Sequence, residues 1–121
     1  MVARSAAPAV ELPRETVTVE PLGGDVLVQG MGMPELLRFF AAQRRLAQPL
    51  AGESAEQAGE RANAELVPVL LSMCVLADDQ LPLYTEAQWR AWGAHNAPAA
   101  LGLFAVAMRL SGQNREEEKK T

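Results

Sequence analysis

Apolar residues alternate with polar ones near the start of the chain and then recur at helical spacing through four blocks. Thr16-Val17-Thr18-Val19-Glu20 is an alternating β-branched run, and Val26-Leu27-Val28 follows it after Gly23-Gly24. Two such runs around a Gly-Gly pair predict a β-hairpin. A lone two-stranded hairpin is marginal in water, so it must pack on helices or on another chain. Pro34 can open the first helix, which runs to about Gln48 with Met33, Leu36, Leu37, Phe40 and Ala47 as its apolar stripe. Arg38, Arg44 and Arg45 lie largely off that stripe, and Pro49–Glu53 forms a loop. Ser54-Ala55-Glu56-Gln57 is a capping box that starts a second helix reaching Ala77. Its stripe is Ala58, Ala62, Leu66, Val69, Met73 and Leu76. Its second half is apolar all round, which makes it the central core helix. Pro68 inside it predicts a kink or a break near Glu65–Val67.

Asp78-Asp79-Gln80 is a turn and Leu81–Tyr84 is extended. A second capping box, Thr85-Glu86-Ala87-Gln88, opens a short third helix that carries Trp89 and Trp92 and ends at Gly93. Asn96 can cap a fourth helix from Ala97 to about Ser111, with Gly112 just past its end. The expected fold class is mainly α, a small α+β arrangement of an N-terminal β-hairpin followed by about four helices. Residues 1–14 are expected to be a flexible arm, 15–112 a single domain, and 113–121 a charged, frayed tail.

Length and composition narrow the function. At 121 residues there is room for one core. The net charge of −4 argues against a nucleic-acid partner. One Cys and one His exclude an internal disulfide and a zinc site. The longest apolar runs, Leu66–Ala77 and Ala97–Met108, fall short of the ~20 residues of a bilayer span. Pro8 and Glu11 interrupt any secretory signal, so the expected location is the cytoplasm, with no membrane partner. Charge is uneven: residues 34–49 hold three Arg and one Glu, whereas 50–79 hold six acids and one Arg. The first two helices can therefore attract each other, or each can steer a partner.

Catalytic chemistry is not apparent. His95 reads as a loop or cap residue, and Asp78-Asp79 as a turn lacking the oxygens a hard cation needs. Gly23-Gly24 and Gly30-Met31-Gly32 lack the rest of any phosphate or dinucleotide loop. Cys74 reads as a buried small hydrophobe. No enzyme activity, metal or cofactor is expected. Binding is the better prospect. Ala97–Met108 carries no charge on any face, so either small residues fill its outer side or Leu101, Phe104 and Met108 cover a partner or a second copy. The edge of the hairpin, with Val26 and Val28, is a second candidate. Trp89 and Trp92 are a third, as core anchors or as a binding platform.

The order of these features resembles a known family. Val26–Met31, Cys74–Tyr84 and Arg109–Gly112 correspond to a "Val-x-Val-x-Gly-Leu/Met" strand, a "Cys-hydrophobic-x-Asp-x-Asp-x-x-Pro-Leu-Phe" loop and an "Arg-Leu-Asn-Gly" end. These motifs are similar to those of the tail assembly chaperones of long-tailed bacteriophages, prophages and gene-transfer agents. The match covers residues 15 to about 114, with Tyr84 for Phe and Ser111 for Asn as departures. The resemblance implies a non-enzymatic protein that keeps the tape-measure protein soluble and helps tail-tube subunits assemble on it. It also implies action in the host cytoplasm and absence from the mature virion. Independently of the resemblance, the apolar surface of the fourth helix or the hairpin edge is expected to bind a client or a second copy in a homo-oligomer. The alternative is a small structural tail completion or connector protein retained in the virion. Such chaperones are often made in two lengths by a programmed ribosomal frameshift. Glu118-Lys119-Lys120, in a chain otherwise free of Lys, is what a slippery A-AAA-AAG site would encode.

Overall fold

The computed structural model describes residues 11–112, and the outlying arm, the charged tail and the Lys119-Lys120 pair fall outside them. The hairpin forms as expected. Strand β1 (Arg14–Val19) pairs antiparallel with β2 (Gly24–Gln29), from Arg14 opposite Gln29 to Val19 opposite Gly24. β1 thus begins at Arg14, within the stretch expected to be an arm. A 3-10 turn, Glu20–Leu22, joins the two strands and closes on Gly23, whose φ of 86° an L side chain rarely adopts. Pro21 lies in that turn, where no ladder bond is lost.

A third strand was not anticipated. The helix expected to reach Ala77 ends at Cys74, and Val75–Leu76 form β3, antiparallel to β2 with Leu27 opposite Leu76 and Val28 opposite Val75. The cause is tertiary. The free edge of β2 presents unpaired backbone groups, and two β-branched or bulky residues leaving a helix can satisfy them. The sheet order is β1-β2-β3, so β2 is central and β1 is an edge. The Leu81–Tyr84 segment is extended, as expected, and continues the pairing through a bridge between Leu76 and Pro82.

Four α-helices complete the described residues: α1 (Met33–Leu46), α2 (Ala55–Cys74), α3 (Glu86–His95) and α4 (Ala97–Leu110). Both predicted capping boxes close. Ser54 Oγ accepts from Gln57 N–H at 3.1 Å while Gln57 Oε1 accepts from Ser54 N–H at 2.9 Å. Thr85 and Gln88 repeat the exchange at 3.2 and 2.9 Å. α2 is the central helix, with Leu66 and Pro68 to Leu71 buried. It runs unbroken through Pro68, so the predicted break does not occur: packing on three sides holds the helix together despite the missing N–H. α3 continues past Gly93 to His95, and a Cβ at Gly93 would meet Ala100 at 3.7 Å, an ordinary contact. Asn96 sits between α3 and α4, but its side chain turns back. Its Nδ2 donates to the Trp92 carbonyl at 3.0 Å and caps the end of α3, not the start of α4.

α1 departs most from its predicted face. Phe39 and Ala42 are buried and Leu36, Phe40 and Leu46 are half-buried, whereas Met33, Leu37 and Ala47 of the expected stripe stand in solvent. Apolar residues cover more than half of this helix, so two overlapping stripes were available. The neighbouring α2 selects the one that carries Phe39. The joint between α1 and α2 is not the charge attraction expected from their compositions. It is Arg61 of α2, whose Nη2 donates to the carbonyls of Leu46 and Gln48 at 3.2 and 3.0 Å and so closes the C-terminal end of α1. Arg61 is held there by Glu53, 3.0 Å away.

Candidate functional site

The three segments that carry the sequence motifs are far apart in the chain and adjacent in the fold. β2 pairs directly with β3, which joins Val26–Met31 to Cys74–Tyr84. The end of β2 also meets the end of α4. Met31 N–H donates to Ser111 Oγ at 2.8 Å, and Ser111 Oγ donates to the Ala107 carbonyl at 2.7 Å. Gly30 lies so close to the last turn of α4 that a Cβ on it would be 2.5 Å from the Leu110 carbonyl oxygen. Arg109 reaches Glu15 of β1 at 2.6 Å. Gly112 follows with φ 75°, the left-handed residue expected past a helix end. The Asp78-Asp79-Gln80 turn closes itself: Asp79 Oδ1 accepts from Leu81 N–H at 3.0 Å, and Gln80 takes φ 67°. The motifs therefore describe one structural joint between the sheet, the loop after it and the last helix.

Of the side chains expected to meet a partner, three are core. Val26 and Val28 lie buried on the inner face of the sheet, and Val28 also flanks β3, so neither belongs to an open edge. Trp89 is 1% exposed. It stands edge-on to Tyr84 and to Trp92, with ring centroids 4.9 and 5.3 Å apart. Among the described residues neither indole N–H has a hydrogen-bond acceptor, and the rings support one another as an aromatic anchor. Trp92, Phe104 and Met108 are half-buried against the core. Leu101 alone of the group stands out, 58% exposed. The rest of the outer side of α4 is Ala97, Pro98, Gly102, Ala105 and Arg109, so small residues account for most of its uncharged face.

Leu101 borders a mainly apolar cavity of about 310 Å³ between α2, α3 and α4, which Ala64, Val67, Pro68, Trp89 and Ala100 also line. Arg90 at its rim is already engaged, 2.9 Å from Glu65 and 3.0 Å from Glu86, and the hydrogen bond it donates to the Glu65 carboxylate raises its pKa. A second groove of about 490 Å³ runs between β1 and α4, along Val17, Val19, Gly102 and Val106. A third, of about 480 Å³, lies between α1 and α2. Sequence reasoning missed this last one and the exposed Met33 and Leu37 beside it, although the excess of apolar residues around α1 was the available signal.

The chemistry-bearing residues stay apart. His95 is exposed at the end of α3. Burial pushes the Cys74 thiol up to about 12, which leaves it protonated and unreactive at neutral pH. Among the described residues no group of three His, Cys, Asp or Glu side chains is placed to hold a metal ion, and no helix is long and apolar enough to cross a membrane. What the arrangement offers is apolar surface: grooves beside α1 and α4, and isolated exposed Leu and Met side chains. Compared with protein-family models, curated proteins and solved structures, the chain matches none.

Proposed function

We propose that this chain is a non-enzymatic assembly chaperone of the long-tailed bacteriophage type. In this reading it binds the tape-measure protein, keeps that chain soluble, and promotes assembly of tail-tube subunits around it. It acts in the host cytoplasm and leaves before the virion matures. One observation supports the reading above others. The three short motifs of the resemblance fold into a single joint, tied by the β2–β3 pairing and the bond from Met31 N–H to Ser111 Oγ. Ser111 in place of the usual Asn keeps a side-chain acceptor for that N–H. The exposed apolar side chains suit a client with a hydrophobic helix face.

The direct test is co-expression with the tape-measure protein encoded in the same genome. The tape-measure protein is expected in the soluble fraction with this chain and in the pellet without it. Recovery of this chain from purified virions at fixed stoichiometry would instead support a structural tail component. Leu101→Asp adds a charge at an exposed site and should leave the circular dichroism spectrum unchanged, so it tests whether the outer side of α4 meets the client.

A further inference from the structure

We infer that the outward strip of α1, with the groove it shares with α2, is a docking surface for an acidic amphipathic helix on another protein. Met33, Leu37 and Ala41 follow one another at four-residue steps along α1, and Met33 and Leu37 are 68% and 58% exposed. The strip leads into the groove of about 480 Å³ whose walls include Ala41, Ala42, Val69 and Met73. From Met33 to Arg45 it is ~18 Å long, the length of about three helical turns. A groove between two helices, with an apolar floor of Ala41, Ala42, Val69 and Met73 and charged walls, suits a third, amphipathic helix.

Charge sets the chemistry of the occupant. Arg38 and Arg45 line the same groove, two turns apart, and Arg44 adjoins them. Among the described residues neither Arg44 nor Arg45 makes an ion pair, and Arg38 has only Glu35 at 3.5 Å. This distinguishes the surface from the cavity beside Leu101, where Arg90 is held by two carboxylates. The one acid in the groove, Glu86, is itself bound to Arg90. The rest of the chain is acidic, so a carboxylate-bearing helix is repelled elsewhere and drawn here, which fixes its position. Among the described residues a second copy does not supply such a helix. The acid-bearing first half of α2 exposes Ala55, Glu56, Gln57, Glu60, Asn63 and Ala64, with no large apolar side chain among them. The occupant is therefore a different protein, and the inference holds whatever that protein's role.

The test uses the full chain and two fluorescent helical peptides that share one Leu/Ala stripe, one flanked by Glu and the other by Lys. Anisotropy titrations should show the Glu peptide binding about tenfold or more tightly than the Lys peptide, with the advantage shrinking as salt is raised. The R38E/R45E double variant should reverse the preference. Leu37→Asp should abolish binding of both peptides, and Leu81→Asp, at a site 62% exposed and outside the groove, should leave both unchanged. All four positions are exposed, so each variant keeps its fold, checked by circular dichroism. Equal or absent binding of the two peptides, or an unaltered preference in R38E/R45E, overturns the inference. So does a dimer in sedimentation, or binding to anionic lipid vesicles, that Leu37→Asp removes, because the strip would then face a second copy or a membrane.

Discussion

Gly30 shows how much one missing methyl group can matter. Its backbone is unremarkable, yet a Cβ there would sit 2.5 Å from one backbone oxygen and 2.9 Å from the carbon bearing it, and backbone cannot rotate out of the way. Gly30→Ala should therefore force the end of α4 off the sheet and cost about 1–3 kcal/mol, the range for overpacking a closed joint. The check is urea denaturation, with a lower midpoint and an unchanged slope. Gly59→Ala, where nothing lies within 4 Å, is the control and should not lower stability. Residue roles of this kind are only partly legible in a sequence. Ser54 and Thr85 were, because a capping box is complete within four residues. Gly30 was visible as part of a motif, but its reason lies 80 residues away in Leu110. Trp89 could be read as a core anchor or as a binding platform and is the former, whereas Val26 and Val28 are not on an open edge because the inner face of the sheet that carries them is covered by the core.

At the scale of elements, local signals set where helices start and tertiary contacts set where they stop and which way they face. α2 and α3 begin where their capping boxes predict, and α4 begins at the expected Ala97 although Asn96 does not cap it. α2 ends early because β2 needs a partner, and α1 turns Phe39 inward because α2 lies there. The exposed strip of α1 follows from that rotation, so the docking surface was hidden in the sequence by the very stripe that named its residues. The corner between α1 and α2 makes a pH-dependent prediction. The hydrogen bond from Arg61, followed by that from the Leu50 N–H, holds the Glu53 carboxyl below its ordinary value of 4.5. A lowered folded-state value means that the unfolded chain binds the proton more readily. The stabilisation is therefore present above pH 4.5 and lost as pH falls through the folded value. Glu53→Gln should melt earlier than the native chain at neutral pH, and the difference should vanish in thermal melts run well below pH 4.5. Arg61→Ala should lower the melting temperature on both sides of that range, since it also uncaps the Leu46 and Gln48 carbonyls.

For the molecule as a whole, the mainly helical class and the hairpin at its head follow from periodicity, while the closure of the structure does not. Pro13 at the start of the hairpin accepts from Gly30 N–H at 2.9 Å, and Ser111 at the end of α4 accepts from Met31 N–H at 2.8 Å. Both ends of the described chain are thus bonded to neighbouring residues of one short segment. The order in which the chain is threaded is then dispensable. A circular permutant with Thr121 joined to Met1 and new termini between Ala51 and Gly52, in the exposed turn after α1, should recover the same helical spectrum and a single cooperative melt. Loss of cooperativity in that permutant would show that the order of the elements along the chain matters to folding. If it folds, α2 becomes the first and α1 the last helix of the new chain. The Arg38–Arg45 face is then carried beside a free terminus, where a fluorophore or a fused partner can be attached without crossing the core.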